Sequence, residues 1–494
     1  MELFEKHRSF TTHGAASVGD NPKINEALFN GVEDWELMKN LWRPLLSGSV
    51  WLCAAMASAQ ADDLMLVYTK ALDGNPEYQS VVAGYQQALE AKPQALAKLL
   101  PQIGVNGDAS VVNQSLSGRF FVGASPQLPN GTDVNREDSF NSVGYQVGLT
   151  QVLFDRGLYL SLDTAALEVS RAGILTYDAQ DQLRIGVVDA YFAALAADDE
   201  LRFATSEKSA IEAVLAQTRD KAAIGLVADA ELKTAQAQLD LADAGLIAAR
   251  NAVSVSRAQL SLLTGGDVGV LKILAETYVP GPPEPNQIGV WIERATTQNL
   301  QVKASQLAVE LAKKNVDKAY GLRWPKLNAL AAYTYDYAQG GISNGIGAEG
   351  NRATDERVGI QLRVPIYTGG AVNSGIRAAQ AGLTRAQADE AAKRNDASRK
   401  VQIAFLNCSA GIARVQALKR AIESTRASEE ATRVGYEVGT KTNGELLLAL
   451  RSRYKAERDF AAARYDAITN TLRLRAAAGS LSHADLLAVN STLQ

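Results

Sequence analysis

The chain has 494 residues, a formal net charge of −4 and 47% hydrophobic residues, a balance that suits a globular or membrane protein and excludes a disordered one. With no basic stripe and only 6% aromatics, it lacks the electrostatic footprint and the stacking residues of a nucleic-acid binder. Two cysteines, Cys53 and Cys408, and three histidines, His7, His13 and His483, are too few and too scattered for a disulfide framework, a zinc cluster or a nucleophile–base pair.

The first readable element is an export signal. Met38-Lys39-Asn40-Leu41-Trp42-Arg43 is a short basic stretch, an apolar run follows over 45–57, and Ala59-Gln60-Ala61 supplies small residues at a cleavage site. The apolar run is too short to span a bilayer. The pattern predicts a signal peptide over 38–61 and a mature chain starting near Asp62, with 1–37 an upstream extension from a mis-assigned start. Leu52 stands where a lipobox before Cys53 needs a small residue, so the mature protein is expected to carry no lipid.

Downstream, the chain repeats itself. Asn75 leads to Leu100-Pro101-Gln102-Ile103 as Asn299 leads to Trp324-Pro325-Lys326-Leu327. Val152-Leu153-Phe154-Asp155-Arg156-Gly157 matches Pro365-Ile366-Tyr367-Thr368-Gly369-Gly370. Ile224-Gly225 with Glu231-Leu232 matches Val438-Gly439 with Glu445-Leu446, and the halves close on Gly265 and Gly479. The order predicts two repeats, 62–279 and 299–494, each reading helix, strand, loop, strand, long helix, tight turn, long helix. The proline-rich run at 280–285 falls in a connector over 280–298.

Within each repeat the strands come first. They are expected at about 102–111, 143–154, 326–337 and 357–367. Val358, Ile360, Leu362 and Val364 alternate with polar residues or glycine, and Leu327, Ala329, Ala331, Tyr333, Tyr335 and Tyr337 keep that alternation, with tyrosines gathered at one end. Strands of this length with one apolar face and terminal aromatics resemble those of an outer-membrane barrel. Polar, Gly- and Asn-rich stretches at about 115–142 and 339–354 read as loops. Four strands cannot close a barrel, so copies must associate.

The helices follow. The stretches 158–222 and 371–436 contain no proline and would run to roughly 90–100 Å each. After Gly225, a seam runs in alternating steps of three and four through Leu232, Ala235, Leu239, Ala242, Leu246, Ala249, Val253, Ser256, Leu260 and Leu263. This heptad period predicts a left-handed coiled coil. A looser copy runs through Leu447, Leu450, Tyr454, Ala461, Tyr465, Ile468 and Leu472. The fold class is therefore mainly α, a long coiled-coil tunnel joined to a membrane β-barrel.

These features, and most specifically Tyr436-Glu437-Val438-Gly439-Thr440-Lys441-Thr442, Ala463-Arg464-Tyr465 and Asp485-Leu486-Leu487-Ala488-Val489-Asn490, resemble the TolC family of outer-membrane efflux and secretion proteins. The resemblance covers 62–493. It implies a homotrimer whose four strands per protomer make a porin-like twelve-stranded barrel in the outer-membrane lipid of a Gram-negative cell, with the helices as a periplasmic tunnel. It further implies a passive duct for small molecules or for proteins in type I secretion. The periplasmic tip would be opened by a periplasmic adaptor (membrane fusion protein) and an inner-membrane ABC or proton-driven pump.

By the same resemblance, a polar link at the closed tip falls on Glu231 and Lys441, with charges kept and both residue types changed. A second link uses a tyrosine, matched by Tyr436, but its hydroxyl partner falls on Ala230. Of two acidic rings that select cations, Glu445 matches the first and Leu448 occupies the second. The alternative class is a soluble periplasmic coiled-coil scaffold or adaptor, which would not need tyrosine-ended strands. An enzyme is not expected, since Cys408 and His483 are isolated and no Gly-rich phosphate loop precedes a helix. No cofactor or metal is implied.

Overall fold

The computed structural model describes residues 61–120, 132–339 and 351–494, all within one structural unit. The export signal and the upstream extension lie outside them, apart from Ala61.

The chain builds the same succession twice. Helices α1 (Leu64–Gly74), α2 (Pro76–Leu89) and α3 (Ala91–Ala97) lead into strands β1 (Gln102–Phe120) and β2 (Thr132–Phe154), then α4 (Arg156–Ala223) and the return helix α5 (Asp229–Thr264). Helices α6 (Ile288–Gln298) and α7 (Leu300–Gly321) lead into β3 (Lys326–Gln339) and β4 (Asn351–Arg363), then α8 (Ala371–Glu437), α9 (Asn443–Ala477) and a short α10 (His483–Asn490).

Local chemistry sets the long helices. Asp155 caps α4, its side chain accepting from the Gly157 and Leu158 amides, and no proline interrupts the 68 residues that follow. That length corresponds to roughly 100 Å. The chain enters α8, of 67 residues, through Gly369 and Gly370, both in the left-handed region with φ of 61° and 84°.

The four strands form one antiparallel sheet in the order β1-β2-β3-β4. Pairings such as Ile103↔Leu149, Tyr145↔Tyr335 and Ala331↔Val358 leave Val112, Phe140, Val152 and Leu330 on one face and put most apolar residues of the four strands on the other. That face exposes Ile103, Val105, Val147, Val358, Ile360 and Leu362, and Tyr145 stacks on Tyr335 with ring centroids 5.3 Å apart. The opposite face carries Asn106, Asp108, Gln146, Asp336, Gln361 and Arg363. Among the described residues, β1 and β4 have no strand on their outer edges, and no helix is long and apolar enough to cross a membrane.

Two loop expectations need correction. The first hairpin continues well into 115–142, with pairs such as Ser115↔Glu137 and Ser117↔Asn135. Polar side chains do not end a strand while each backbone group still finds its partner across the hairpin. Conversely, β4 starts at Asn351 and stops at Arg363, short of 367, because Pro365 has no amide hydrogen for the ladder.

The helices below the sheet form a row. α4 packs against α5 on one side and α9 on the other, and α9 packs against α8. Every residue of the α5 seam is buried or half-buried. The looser seam on α9 has a physical cause, since α9 lies between two partners. Tyr465, Ile468 and Leu472 join the α4 residues Leu183–Leu195 in the main core, while Ala463 and Ala467 meet Val415 of α8.

That main core also gathers Leu64, Val67 and Tyr68 of α1 with Leu486 and Val489 of α10. Short bridges, Asp62↔Leu271 and Leu274↔Leu493, sew the described start, the segment that follows α5 and the C-terminal segment together. The Tyr191 hydroxyl donates to the Lys272 carbonyl at 2.8 Å.

The duplication extends to a joint. In each half, an Asn breaks two short helices and caps the second: Asn75 for α2 and Asn299 for α7. A left-handed glycine then ends the return helix against that joint. A Cβ at Gly265 would lie 2.6 Å from the Gly74 carbonyl oxygen, and one at Gly479 would lie 2.6 Å from that of Gln298. The Gly479→Ala variant should lower the denaturant stability of the purified protein by about 1–3 kcal/mol. Gly84→Ala, in the middle of α2 with open space around its Cβ, should leave stability unchanged or raise it by up to about 1 kcal/mol.

Candidate functional site

At the end of the helical row farthest from the sheet, the turns α4–α5 and α8–α9 form a tip. Each turn needs one left-handed glycine, Gly225 with φ 78° and Gly439 with φ 82°. The turns expose Ile224, Leu226 and Val438. Behind them an apolar cluster joins all four helices: Ile211, Val214 and Leu215 of α4, Ala235 of α5, Tyr436 of α8, and Leu446, Leu447 and Leu450 of α9.

Polar groups are arranged unevenly around this cluster. At the start of α9, Thr442 and Glu445 form a capping box, in which the Thr442 amide donates to Glu445 Oε2 at 2.8 Å and the Thr442 hydroxyl accepts from the Glu445 amide. The other carboxylate oxygen, Oε1, lies 2.6 Å from Lys441 Nζ. The Lys441 ammonium, followed by the Thr442 amide and hydroxyl, pulls the exposed Glu445 carboxyl down to about 2.

Lys441 therefore spends its charge within its own turn. Glu231, half-exposed at the start of α5, makes no ion pair within the chain among the described residues, so one protomer does not bring Glu231 and Lys441 together. The contact between the turns runs instead through Asn443, which is fully buried and donates weakly to the Glu231 carbonyl at 3.5 Å. Tyr436 is buried, with Lys221 Nζ 4.0 Å from its ring centroid. Its hydroxyl has no partner, and neither has Asn443 Oδ1. Ala230, at the position where the resemblance calls for a hydroxyl, offers none. Leu448 is 61% exposed. With Glu445, Thr425, Ser428, Thr432 and Ser452 it lines a shallow groove of about 270 Å³ between α8 and α9.

Further from the turns, a charged layer separates the tip cluster from the rest of the α8–α9 pair. Glu457 is buried and accepts from Arg426 at 2.7 Å and from Arg453 at 3.3 Å. Arg453 also reaches the buried Glu429 at 3.1 Å. The capping box was legible as Thr-x-x-Glu. Asn443, Lys221 and this charged layer were missed, because nothing in the sequence says which polar residues on a helix face inward.

A sheet with one continuous apolar face and two open edges, fused to helices roughly 100 Å long, defines an outer-membrane channel with a helical tunnel. Residues 67–266 and 291–480 match the family model described as Outer membrane efflux protein, and the chain belongs to that family. It is 30% identical over 449 residues to Outer membrane protein TolC of Vibrio cholerae, covering 91% of this chain and 96% of that protein. It is 24% identical over 443 residues to the Alkaline protease secretion protein AprF of Pseudomonas aeruginosa, covering 88% and 89%. The solved structure of CusC superposes with a TM-score of 0.68 at 16% identity, over 87% of this chain and 95% of that one, a likeness of fold. The protein is an outer-membrane efflux channel, and its relatives are transport channels rather than enzymes. The scaffold alternative finds no support among them.

The Glu445 carboxyl sits below its ordinary value of 4.5 in the folded chain. Its stabilising contribution is therefore complete above the unfolded pKa and is lost as pH falls through about 2. The deficit of Glu445→Gln, measured by denaturant unfolding, should be constant from about pH 7 to 5 and shrink steadily below that. A deficit that rose on acidification would contradict the assigned contacts.

Proposed function

We propose that three copies of the chain form one duct across the periplasm and outer membrane, with two repeats per copy, 62–279 and 299–494, joined by 280–298. The observation that carries this reading is the sheet. Its edges β1 and β4 present unpaired backbone groups that hydrocarbon cannot satisfy, and pairing β4 of one copy with β1 of the next closes a twelve-stranded barrel.

The tip is the gate of this duct. Glu231 of one copy shares the Lys441 ammonium of the next with that copy's Glu445, a link across the joint between copies, while Tyr436 and Asn443 hold each copy's two turns together. Such exposed links contribute about 0–1 kcal/mol each, weak enough for a docking partner to break. That partner is a periplasmic adaptor with an inner-membrane pump. A secretion relative such as AprF supports protein cargo beside small molecules, so the pump is of the ABC type in one case and proton-driven in the other.

Glu445 forms one ring of three carboxylates at the constriction, and Leu448 leaves the second ring empty of charge. Lys441 compensates each of the three carboxylates, so the closed tip binds multivalent cations weakly. In planar bilayers the purified protein should show cation preference that falls on Glu445→Ala, with only weak block by trivalent metal complexes. Tight block that survives Glu445→Ala would overturn this assignment. Crosslinking followed by co-purification identifies the pump, and a protein that forms no conducting pore sinks the channel reading itself.

A further inference from the structure

At the foot of the sheet, where β2 passes into α4 and α7 into β3, the chain gathers aromatic and basic side chains. A bulge between Val152 and Phe154 sets Phe154 opposite Leu327, on the apolar face. Trp324 and Tyr159 lie against Phe154, with ring centroids 6.2 and 6.4 Å from its own. Both are exposed, as are Leu153 and Leu322.

The strand sets the height of this cluster. From Phe154 to Tyr145, which stacks on Tyr335, β2 runs roughly 30 Å. A strand tilt of about 40° reduces that to roughly 23 Å, close to the apolar band of about 25 Å that aromatic girdles flank on either side. The foot cluster therefore stands at the level of lipid headgroups, where tryptophan and tyrosine rings settle. β2 and β3 are the inner strands, so joining copies through β1 and β4 leaves the cluster facing lipid.

At that level the charge is one-sided. Over 151–159 and 320–327 the basic residues are Arg156, Arg323 and Lys326, and the acidic one is Asp155. Asp155 neutralises Lys326 at 2.8 Å. Neither arginine makes an ion pair among the described residues. Arg156 Cζ lies 4.9 Å from the centroid of the Trp324 ring, and Arg323 Cζ lies 5.4 Å from that of Tyr320. Arg323 also donates to Asn373 Oδ1 at 2.8 Å. Both guanidiniums are thus held over ring faces with their charge uncompensated. The duplicate foot lacks this arrangement. Leu99, Leu100 and Gln102 stand at the places of Arg323, Trp324 and Lys326, and Gly369 stands at the place of Arg156.

We propose that this foot is a binding site, one per copy, for an anionic phospholipid of the leaflet nearer the helices. Arg156 and Arg323 flank Trp324 and donate to the phosphodiester oxygens, while Phe154, Tyr159 and Trp324 receive the upper part of the acyl chains. A guanidinium stacked on a ring keeps its in-plane N–H groups free, in the fork that matches a phosphate. A headgroup with an ammonium of its own would bring a third cation to two unpaired ones, so the site favours a headgroup without one. This rests on the reading of the sheet as a lipid-facing barrel. Because α4 starts at Arg156, the bound lipid holds the membrane surface level with the first turn of that helix.

The test uses full-length protein in phosphatidylethanolamine vesicles that contain brominated phosphatidylglycerol or, at equal mole fraction, brominated phosphatidylethanolamine, and it reads the quenching of tryptophan fluorescence. The part of the signal lost in Trp324→Phe belongs to Trp324. Brominated phosphatidylglycerol should quench that part the more strongly. Arg156→Gln and Arg323→Gln should each lower the preference about fivefold, and Arg156→Lys, which keeps the charge, should retain most of it. Equal quenching by the two lipids, or a preference unchanged in both glutamine variants, would overturn the site. A preference abolished by about 10 mM inorganic phosphate at constant ionic strength would assign the guanidiniums to free phosphate and overturn it as well. Any of these results obtained with conducting pores leaves the channel reading intact, whereas Trp324 unquenched by either lipid, in a protein without pores, sinks the barrel reading itself.

Discussion

The constraint on which the rest of this molecule depends is that hydrocarbon leaves no backbone hydrogen bond unpaired. A four-stranded sheet with a continuous apolar face meets this requirement everywhere except along β1 and β4. Those edges are what the proposed association of copies satisfies. The strands enter α4 through the Asp155 cap and α8 through two left-handed glycines, so the placement of the sheet fixes where each long helix begins. Because the helices are continuous for roughly 100 Å, the geometry imposed at the membrane is carried to the tip without a hinge of proline.

Stability is distributed unevenly along that length. Near the middle, α1, α4, α5, α9, α10 and the segment that follows α5 share one apolar core, and the bridges at Asp62 and Leu493 tie in the described start and the C-terminal segment. At the tip the cluster is smaller and contains two buried polar atoms without partners, the Tyr436 hydroxyl and Asn443 Oδ1. Each such group costs about 1–3 kcal/mol. The charged layer of Arg426, Glu429, Arg453 and Glu457 interrupts the apolar contact between tip and body, and buried ion pairs of this kind add little net stability. The end proposed to open is thus the end whose packing is least satisfied.

Much of this organisation is legible in the sequence. The long helices were evident from the absence of proline and from the glycines that end them, and the α5 seam from its strict alternation of small and large apolar residues. The sheet's apolar face was evident where residues alternate, as in 358–364. Three things were hidden for physical reasons. The first hairpin outruns its apolar part because backbone pairing is indifferent to side-chain polarity. The α9 pattern looked degraded because α9 packs on two neighbours. The tip contacts of Asn443 and Lys221 could not be anticipated, since a polar residue's burial depends on what the opposite turn supplies. Lys441 pairs locally with Glu445 because a partner four residues away on the same chain is always within reach.

Duplication poses a recognition problem that divergence has to solve. Surface charge can drift without disturbing the seams, because charged residues occupy positions the coiled coil leaves to solvent. Among the described residues, the four ion pairs between repeats all run from a second-repeat cation to a first-repeat anion. Within the chain the apolar seams set how the helices pack, and these pairs add a bond of one charge sense between the two repeats.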